Sequence, residues 1–397
     1  IHPNFNQMQD TGRLSCGSGG KGSIKNKDSD AAEEGNSDEI IAKDKSVNVQ
    51  QLPNDEETRA CFIPNKGNLL VDCDYGDQEG HMFTELTQDK AWIDFYNDVA
   101  HRDGHSFVAK MIFAKELEGI EEKDIKKLRP DLRQAAKPAR FTFNYNGTPA
   151  ALAANTGKPL DFCEQCFKSY FSAFKGIESY FRKQKRDMWN RGYILISEIT
   201  GLRAYIYDWP ILRGIESRKN AMGQEFWDLY RKAKESGLII PDVPNSVVQE
   251  IARKFANNEP LSAIAIRYEY EVKVANKKEI KYIDINWQTV IAKVFTHLAK
   301  RRSSSENQSC NYTSQGSAAA MSKIAGIIYF DYLIESNLIF KVLIPNMVHD
   351  EWVTEVPTEI VEQEAAKLSE CMEYSASLFC KTVTIKAVPE YGDHWIH

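Results

Sequence analysis

VDCDYGDQE (residues 71–79) and VHDEW (residues 348–352) each carry an apolar, strand-like run into a cluster of acids, and the fold is read from this pair. Asn68-Leu-Leu-Val-Asp-Cys-Asp74 predicts a buried strand that ends at an acidic residue. Phe340–Ile344, Val348 and Trp352–Val356 predict two strands that meet at His349-Asp350-Glu351. Strand ends and tight hairpins hold carboxylates more rigidly than loops do. Two carboxylates so held can bridge a pair of divalent ions about 3.5–4 Å apart, the arrangement that nucleotidyl transfer requires. Taken singly, each cluster is weak: a strand-end Asp is a turn residue or a cap roughly four times in five.

Between the clusters lie Arg133, Lys137, Phe141 and Tyr145, spaced by four and therefore along one helical face. Two cations followed by two aromatics can grip a triphosphate at one end and stack on a sugar and base at the other. A basic turn next to an aromatic core face is the competing explanation, and alone it is preferred about three to one.

Outward from these motifs, residues 16–47 are rich in Gly, Ser and charge and predict a flexible surface insertion. Residues 84–118, 121–145 and 161–191 predict helices. The aromatics of the last (Phe162, Phe167, Tyr170, Phe171, Phe174, Tyr180) recur near helical spacing, as a core stripe does. Tyr193–Ile199 and Leu202–Tyr207 around Thr200-Gly201 predict a β-hairpin. Residues 208–298 mix helical and strand signals, with Ile264–Val274 and Ile280–Ile285 flanking a Lys-rich turn. Ser317–Ser336 and 358–380 predict helices, and Thr382–Val388 a closing strand. Cys163 and Cys166 lack a second ligand pair and read as buried thiols, not a zinc site. Arg182–Arg186 and Arg301-Arg302 are basic runs of the kind that face solvent or phosphate.

The chain has 397 residues, a formal net charge of −6 and eight cysteines at irregular spacing, which fits a globular protein of a reducing cytoplasm. Charge is uneven: residues 16–58 carry about −5 and 350–397 about −7, leaving about +6 between Arg59 and His349. An acidic total is thus compatible with a basic channel for nucleic acid. No apolar run approaches the roughly 20 residues of a membrane span, and no signal peptide is visible, so no membrane partner is expected. The chain opens without Met, as a fragment of a longer protein would.

In order and combination these motifs resemble motifs A, B and C of the A-family DNA polymerases, the group of bacterial DNA polymerase I and many bacteriophage replicases. TGRLS (11–15) and NVQQLP (48–53) are similar to the family's opening stretch. Arg59-Ala-Cys-Phe-Ile-Pro64, followed by Asp74, Tyr75 and Glu79, resembles its run into motif A. Asn311-x-x-x-Gln315-Gly316-Ser317-Ala318-Ala319 and Gly392-Asp393-His394-Trp395 match two further family patterns.

The resemblance implies an α+β right-hand fold, with an antiparallel palm sheet and a mostly helical fingers domain. The implied domains are palm at 1–92 and 301–397, with fingers at 93–300 carrying an atypical insertion at 208–298. It implies a DNA-directed DNA polymerase that uses two Mg2+ ions, with Mn2+ able to substitute. Asp74 and Asp350 would hold the metal, with Glu351 in support. Arg133, Lys137 and His105 would meet the triphosphate, and Lys137 would protonate the pyrophosphate. Phe141 would stack on the incoming nucleotide, Tyr145 would close the nascent pair, and Glu79 would exclude a ribose 2′-hydroxyl. Arg13, Asn311, Gln315 and His349 would touch primer–template DNA. A processivity factor or another replisome protein is a further implied partner.

In the family a thumb, and often an exonuclease, precede this segment, and neither fits in the 10 residues before Thr11, which implies low processivity. Motif A departs from the family at Gly76, Asp77, Gln78, Gly80 and His81, Pro138 follows Lys137, and Asn307 stands where an Arg is common. Such drift looks viral. A catalytically inactive DNA-binding subunit and a repair polymerase are the alternatives.

Overall fold

The computed structural model describes residues 55–98, 103–235, 245–274 and 277–396, with positions 5–6, 13, 15–16, 50 and 52. The insertion predicted at 16–47 lies outside the described residues except for Cys16, as do most of TGRLS and NVQQLP. The chain divides into two compact units. Ile1–Lys183, Leu195–Ala204 and Cys310–His397 form the first; Gln184–Ile194 and Tyr205–Ser309 form the second.

The first unit is built on an antiparallel sheet of β1 (Asn68–Tyr75), β2 (Leu343–Val348), β3 (Glu351–Pro357) and β4 (Ala387–Gly392), in the order β4-β1-β3-β2. Alternation along β1 sorts its residues by face. Val71, Cys73 and Tyr75 are buried in a core with Ala318, Met321 and Tyr329 and with Leu368 and Met372 of the helix Val361–Phe379. The Tyr75 hydroxyl donates to Met372 O at 2.8 Å. Leu70, Asp72 and Asp74 therefore share the other face. The predicted strand at 382–388 is displaced to β4, whose Val388 pairs with Asp74.

Predicted helices are cut where side chains cap them. The single helix read at 84–118 is three: α1 (Gln78–Thr87), α2 (Lys90–Asn97) and α3 (Gly104–Ile112). Asp89 accepts from Ala91 N–H, and Asp103 from His105 and Ser106 N–H, so each starts a new helix where propensity alone would continue the old one. The stretch at 121–145 splits at Arg129 because Pro130 takes the first position of α4 (Pro130–Asn144). Pro138 lies inside α4, which continues through it. The stretch at 161–191 splits at Phe174 into α5 (Leu160–Ala173) and a helix Lys175–Arg191. Its aromatic stripe is core: Tyr170, Phe174 and Tyr180 are buried, as are the free thiols Cys163 and Cys166.

The helix predicted at Ser317–Ser336 is the end of α6 (Trp287–Glu335). Its first turns carry an apolar stripe (Trp287, Val290, Ile291, Val294, Leu298), but the polar turns at 300–309, with Ser303-Ser-Ser-Glu306 among them, interrupt it before Ser317. Leu298–Glu335 is long and apolar enough to cross a membrane by length and composition alone, but more than half of its most apolar window is buried in the protein. Gly326 of α6 faces Trp352, whose indole N–H donates to Ser322 O at 3.1 Å, and a Cβ at 326 would overlap the indole ring. Gly326→Ala should therefore lower stability by about 1–3 kcal/mol. An unchanged melting midpoint by circular dichroism would contradict this packing.

The second unit contains helices Trp209–Met222, Gln224–Glu235 and Asn245–Ala256 and an antiparallel hairpin, Ala265–Val274 with Lys277–Asn286, close to the two strands predicted there. Arg301 and Arg302 are paired within this unit, with Asp208 at 3.2 Å and with Glu216 and Glu306 respectively. The hairpin predicted over 193–207 is present but shorter, as Tyr193–Leu195 and Arg203–Tyr205.

Candidate active site

Asp74 stands one residue before the end of β1, and its cross-strand partner on β3 is Glu351. Asp350 precedes Glu351 in the tight turn from β2, where His349 adopts a left-handed φ of 54°. The two aspartates are thus neighbours. Burial first, and then the charge of Asp74, push the Asp350 carboxyl up to about 7, while Arg13 opposes them. Burial pushes Glu351 up to about 8, against the indole N–H of Trp395, which donates to its Oε1 at 2.6 Å. The Ile396 N–H donates to Asp72 at 2.8 Å, so the C-terminal segment covers this face of the sheet.

Two like charges pressed together, each a hard oxygen donor, fit a divalent cation. Among the described residues, three or more metal-ligating side chains do not gather at one point.

A cavity of roughly 200 Å³ opens at Asp350, lined also by Arg13, Gln78, Glu79, Lys323 and His349. Burial, followed by Arg13, pushes the His349 pKa down. Glu79 accepts from Arg13 and from the Tyr145 hydroxyl. It also lines a narrower cleft with Phe141, Asn144 and Tyr145 of the α4 end. Asp350 and the aromatic end of α4 thus converge on Glu79.

Along α4, Lys137 is exposed and Phe141 is 45% exposed. Arg133 is not open in the same way: its Nε and Nη2 donate to Asp103 at 2.5 and 3.1 Å. Burial acts to raise the Asp103 pKa, but hydrogen bonds from Arg133 and Ser106 and the Arg133 charge hold the carboxyl well below the usual range. His105 follows Asp103, with its ring 6.0 Å from Phe141 and its buried Nδ1 without a hydrogen-bond partner. Burial lowers the His105 pKa, and the cations Arg140, Arg133 and Lys137 lower it further. Such a gathering of cations suits a polyanion.

Asn311 and Gln315 sit one turn apart on α6, and the amide oxygen of Asn311 is buried without a partner. Ser314, Ala319 and Lys323 of neighbouring turns line the two clefts. Sequence reasoning missed Asp103 and Lys323. An Asp-Gly before a helical run signals a cap at 103, and Lys323 continues the four-residue spacing of Gln315 and Ala319.

The family model described as DNA polymerase family A matches residues 1–225 and 249–397. The chain belongs to DNA polymerase family A. The family match leaves out only 226–248, a shorter stretch than the atypical 208–298 of the sequence reading. Relatives include the DNA polymerase of Escherichia phage T5, 29% identical over 170 residues, covering 37% of this chain and 20% of the phage protein. DNA polymerase I of Borreliella burgdorferi is 29% identical over 150 residues, covering 37% of this chain and 15% of its own length. The thermostable DNA polymerase I of Thermus aquaticus is 26% identical over 158 residues, covering 40% and 18%. The matched segment thus spans a fifth or less of each of these three relatives.

A solved structure of the POL domain of Pol1 from M. smegmatis, in complex with DNA primer-template and dNTP, superposes with a TM-score of 0.60 at 19% identity. The match covers 100% of this chain and 48% of that one. The fold is accordingly the α+β fold of a family A polymerase domain, as expected.

Proposed function

We propose that this chain is the catalytic core of a template-directed DNA polymerase, which adds deoxynucleoside triphosphates to a primer 3′-hydroxyl in DNA replication. The observation that carries the proposal is the convergence on Glu79 of Asp350, the neighbour of Asp74, and the aromatic end of the helix bearing Arg133, Lys137, Phe141 and Tyr145. Palm is assigned to 1–92 and 301–397 and fingers to 93–300, and the host-cell cytoplasm is the proposed location.

Asp74 and Asp350 would hold two Mg2+ ions, which when bound lower the pKa of the attacking hydroxyl and neutralise charge on the phosphates. The buried Glu351 keeps the strand end rigid beside them. Arg133, Lys137 and His105 orient the triphosphate, and the Lys137 ammonium donates a proton to the departing pyrophosphate. Phe141 stacks on the incoming base. Tyr145, held by Glu79, backs the nascent pair, and Glu79 fills the space of a ribose 2′-hydroxyl. Arg13, Asn311, Gln315 and His349 contact primer and template, where minor-groove acceptors are common to all correct pairs.

Primer extension with Mg2+ tests the proposal, with Asp350→Ala as the control. Extension by both proteins, or by neither, would reject it, and primer–template binding without extension would favour the inactive-subunit alternative. A second experiment bears on Arg133. Asp103→Asn keeps the cap on α3 but removes the charge that competes with a triphosphate. Apparent nucleotide affinity should rise by up to about fivefold, the scale of a part-exposed ion pair. A weaker KM would show that Asp103 orients Arg133 productively instead of competing for it.

A further inference from the structure

Arg140 immediately precedes Phe141 and lines the same cleft, yet it is only 6% exposed. Its Nη2 donates to Asp77 Oδ2 at 2.7 Å and to the Tyr96 hydroxyl oxygen at 3.0 Å, while the Tyr96 O–H donates to the same Asp77 oxygen at 2.5 Å. The guanidinium lies 4.9 Å over the Trp92 ring. Asp77 occupies the turn directly after the Asp74 strand, at the N-cap of α1 with φ 50°, yet its carboxylate makes no cap bond. An N-cap Asp ordinarily satisfies its own helix; this one is turned over to α4 and α2.

The departures from the family in motif A belong to this arrangement. A Cβ at Gly80 would overlap the Tyr96 hydroxyl and lie 2.6 Å from Arg140 Nη2. The His81 ring sits 3.9 Å from that of Tyr96. Gly104, next to His105, is also pressed on Arg140: a Cβ there would lie 2.7 Å from Nη1. On the other side of Glu79, the Gln78 amide donates to Ser322 Oγ at 2.7 Å and to Ala318 O at 3.3 Å. Glu79 therefore lies beside two anchored residues, and the helix that carries Arg140 also brings Tyr145 to its carboxylate.

We propose that Arg140, with Asp77 and Tyr96, is the positioning set that registers the first turn of α1 against α4 and so aims Glu79 at the sugar of the incoming nucleotide. Choice between deoxyribose and ribose then depends on residues that act through Glu79. The inference rests on the polymerase reading.

The test measures kcat/KM for matched deoxy- and ribonucleoside triphosphates on one primer–template. Asp77→Asn keeps the shape and removes the charge; Tyr96→Phe removes one hydroxyl and leaves the ion pair, so it serves if Asp77→Asn fails to fold. Each should reduce discrimination at least about tenfold while deoxynucleotide kcat changes less than about threefold, and Arg140→Lys should recover part of the loss relative to Arg140→Met. Because the set acts through Glu79, adding Glu79→Ala to Tyr96→Phe should cause no more loss than Glu79→Ala alone. Unchanged discrimination in Tyr96→Phe and Asp77→Asn, or full additivity with Glu79→Ala, overturns the inference while leaving the polymerase reading intact. No incorporation by the unaltered chain removes that reading, and the inference with it.

Discussion

Asp350→Asn should abolish nucleotide addition and, without divalent metal, raise the melting temperature. The first effect follows from losing half of the carboxylate pair. Charge stabilisation of the transferring phosphate is worth several kcal/mol, which at 1.36 kcal/mol per decade is about three orders of magnitude in rate. The second follows from the raised folded-state pKa of Asp350, about 7 against an ordinary 3.8, caused by burial and then by Asp74. Folding disfavours the ionised form. Stability is therefore lost as pH rises from about 4 toward 7, and the penalty is fully present above that window. An Asn has no such penalty.

Metal-free wild-type protein should accordingly melt higher near about pH 5 than near about pH 8, and the variant should show less of this dependence. Mg2+ should stabilise wild type much more than Asp350→Asn, by ordinary ligand linkage. Single-turnover extension and thermal melts with and without chelator measure all of this. Extension by the variant within tenfold of wild type would show that Asp350 is no part of the reacting centre, and a lower melting temperature in chelator would show that folding does not disfavour its ionised form.

Lys137→Ala should slow the chemical step by about 10²–10⁴, the range for loss of a positioned general acid. The side chain is exposed on α4 among Arg133, His105 and Phe141, so truncation leaves no cavity and stability should hold. Lys137→Arg separates its two roles. A guanidinium keeps the positive charge near the phosphates but does not give up its proton readily. KM for the nucleotide should return close to wild type while kcat remains low. Recovery of kcat by the Arg variant would restrict Lys137 to electrostatics.

Local pattern revealed a large part of this protein, and the failures share a cause. Asp74 and Asp350 were legible because each ends an apolar strand run, and the α4 stripe because a spacing of four is a helical period. The core role of Tyr170 and Phe174 was legible for the same reason. Cuts at Asp89 and Asp103 were missed because a cap is a single side chain that overrides propensity across a longer window. The start of α6 was missed although Trp287, Val290, Ile291, Val294 and Leu298 fall at helical spacing, because the polar turns at 300–309 break that stripe before Ser317.

Pairings between distant positions leave no periodic trace. Arg133 with Asp103, Arg140 with Asp77, and Trp395 with Glu351 join residues far beyond any helical or strand repeat. Asp77 and Gly80 look like drift when read singly, and become one constraint only once Tyr96 and Arg140 are placed against them.

The linear order of residues by itself determined the chemistry available: which carboxylates end strands, which cations and aromatics share a helical face, and which aromatics must be core. Tertiary structure alone decided who meets whom. Alternation along β1 puts Asp72 and Asp74 on one face, but only the pairing of β1 with β3 sets Glu351 opposite Asp74 and Asp350 beside it. That choice belongs to burial and hydrogen-bond pairing summed over the whole sheet, a quantity no short stretch of residues contains.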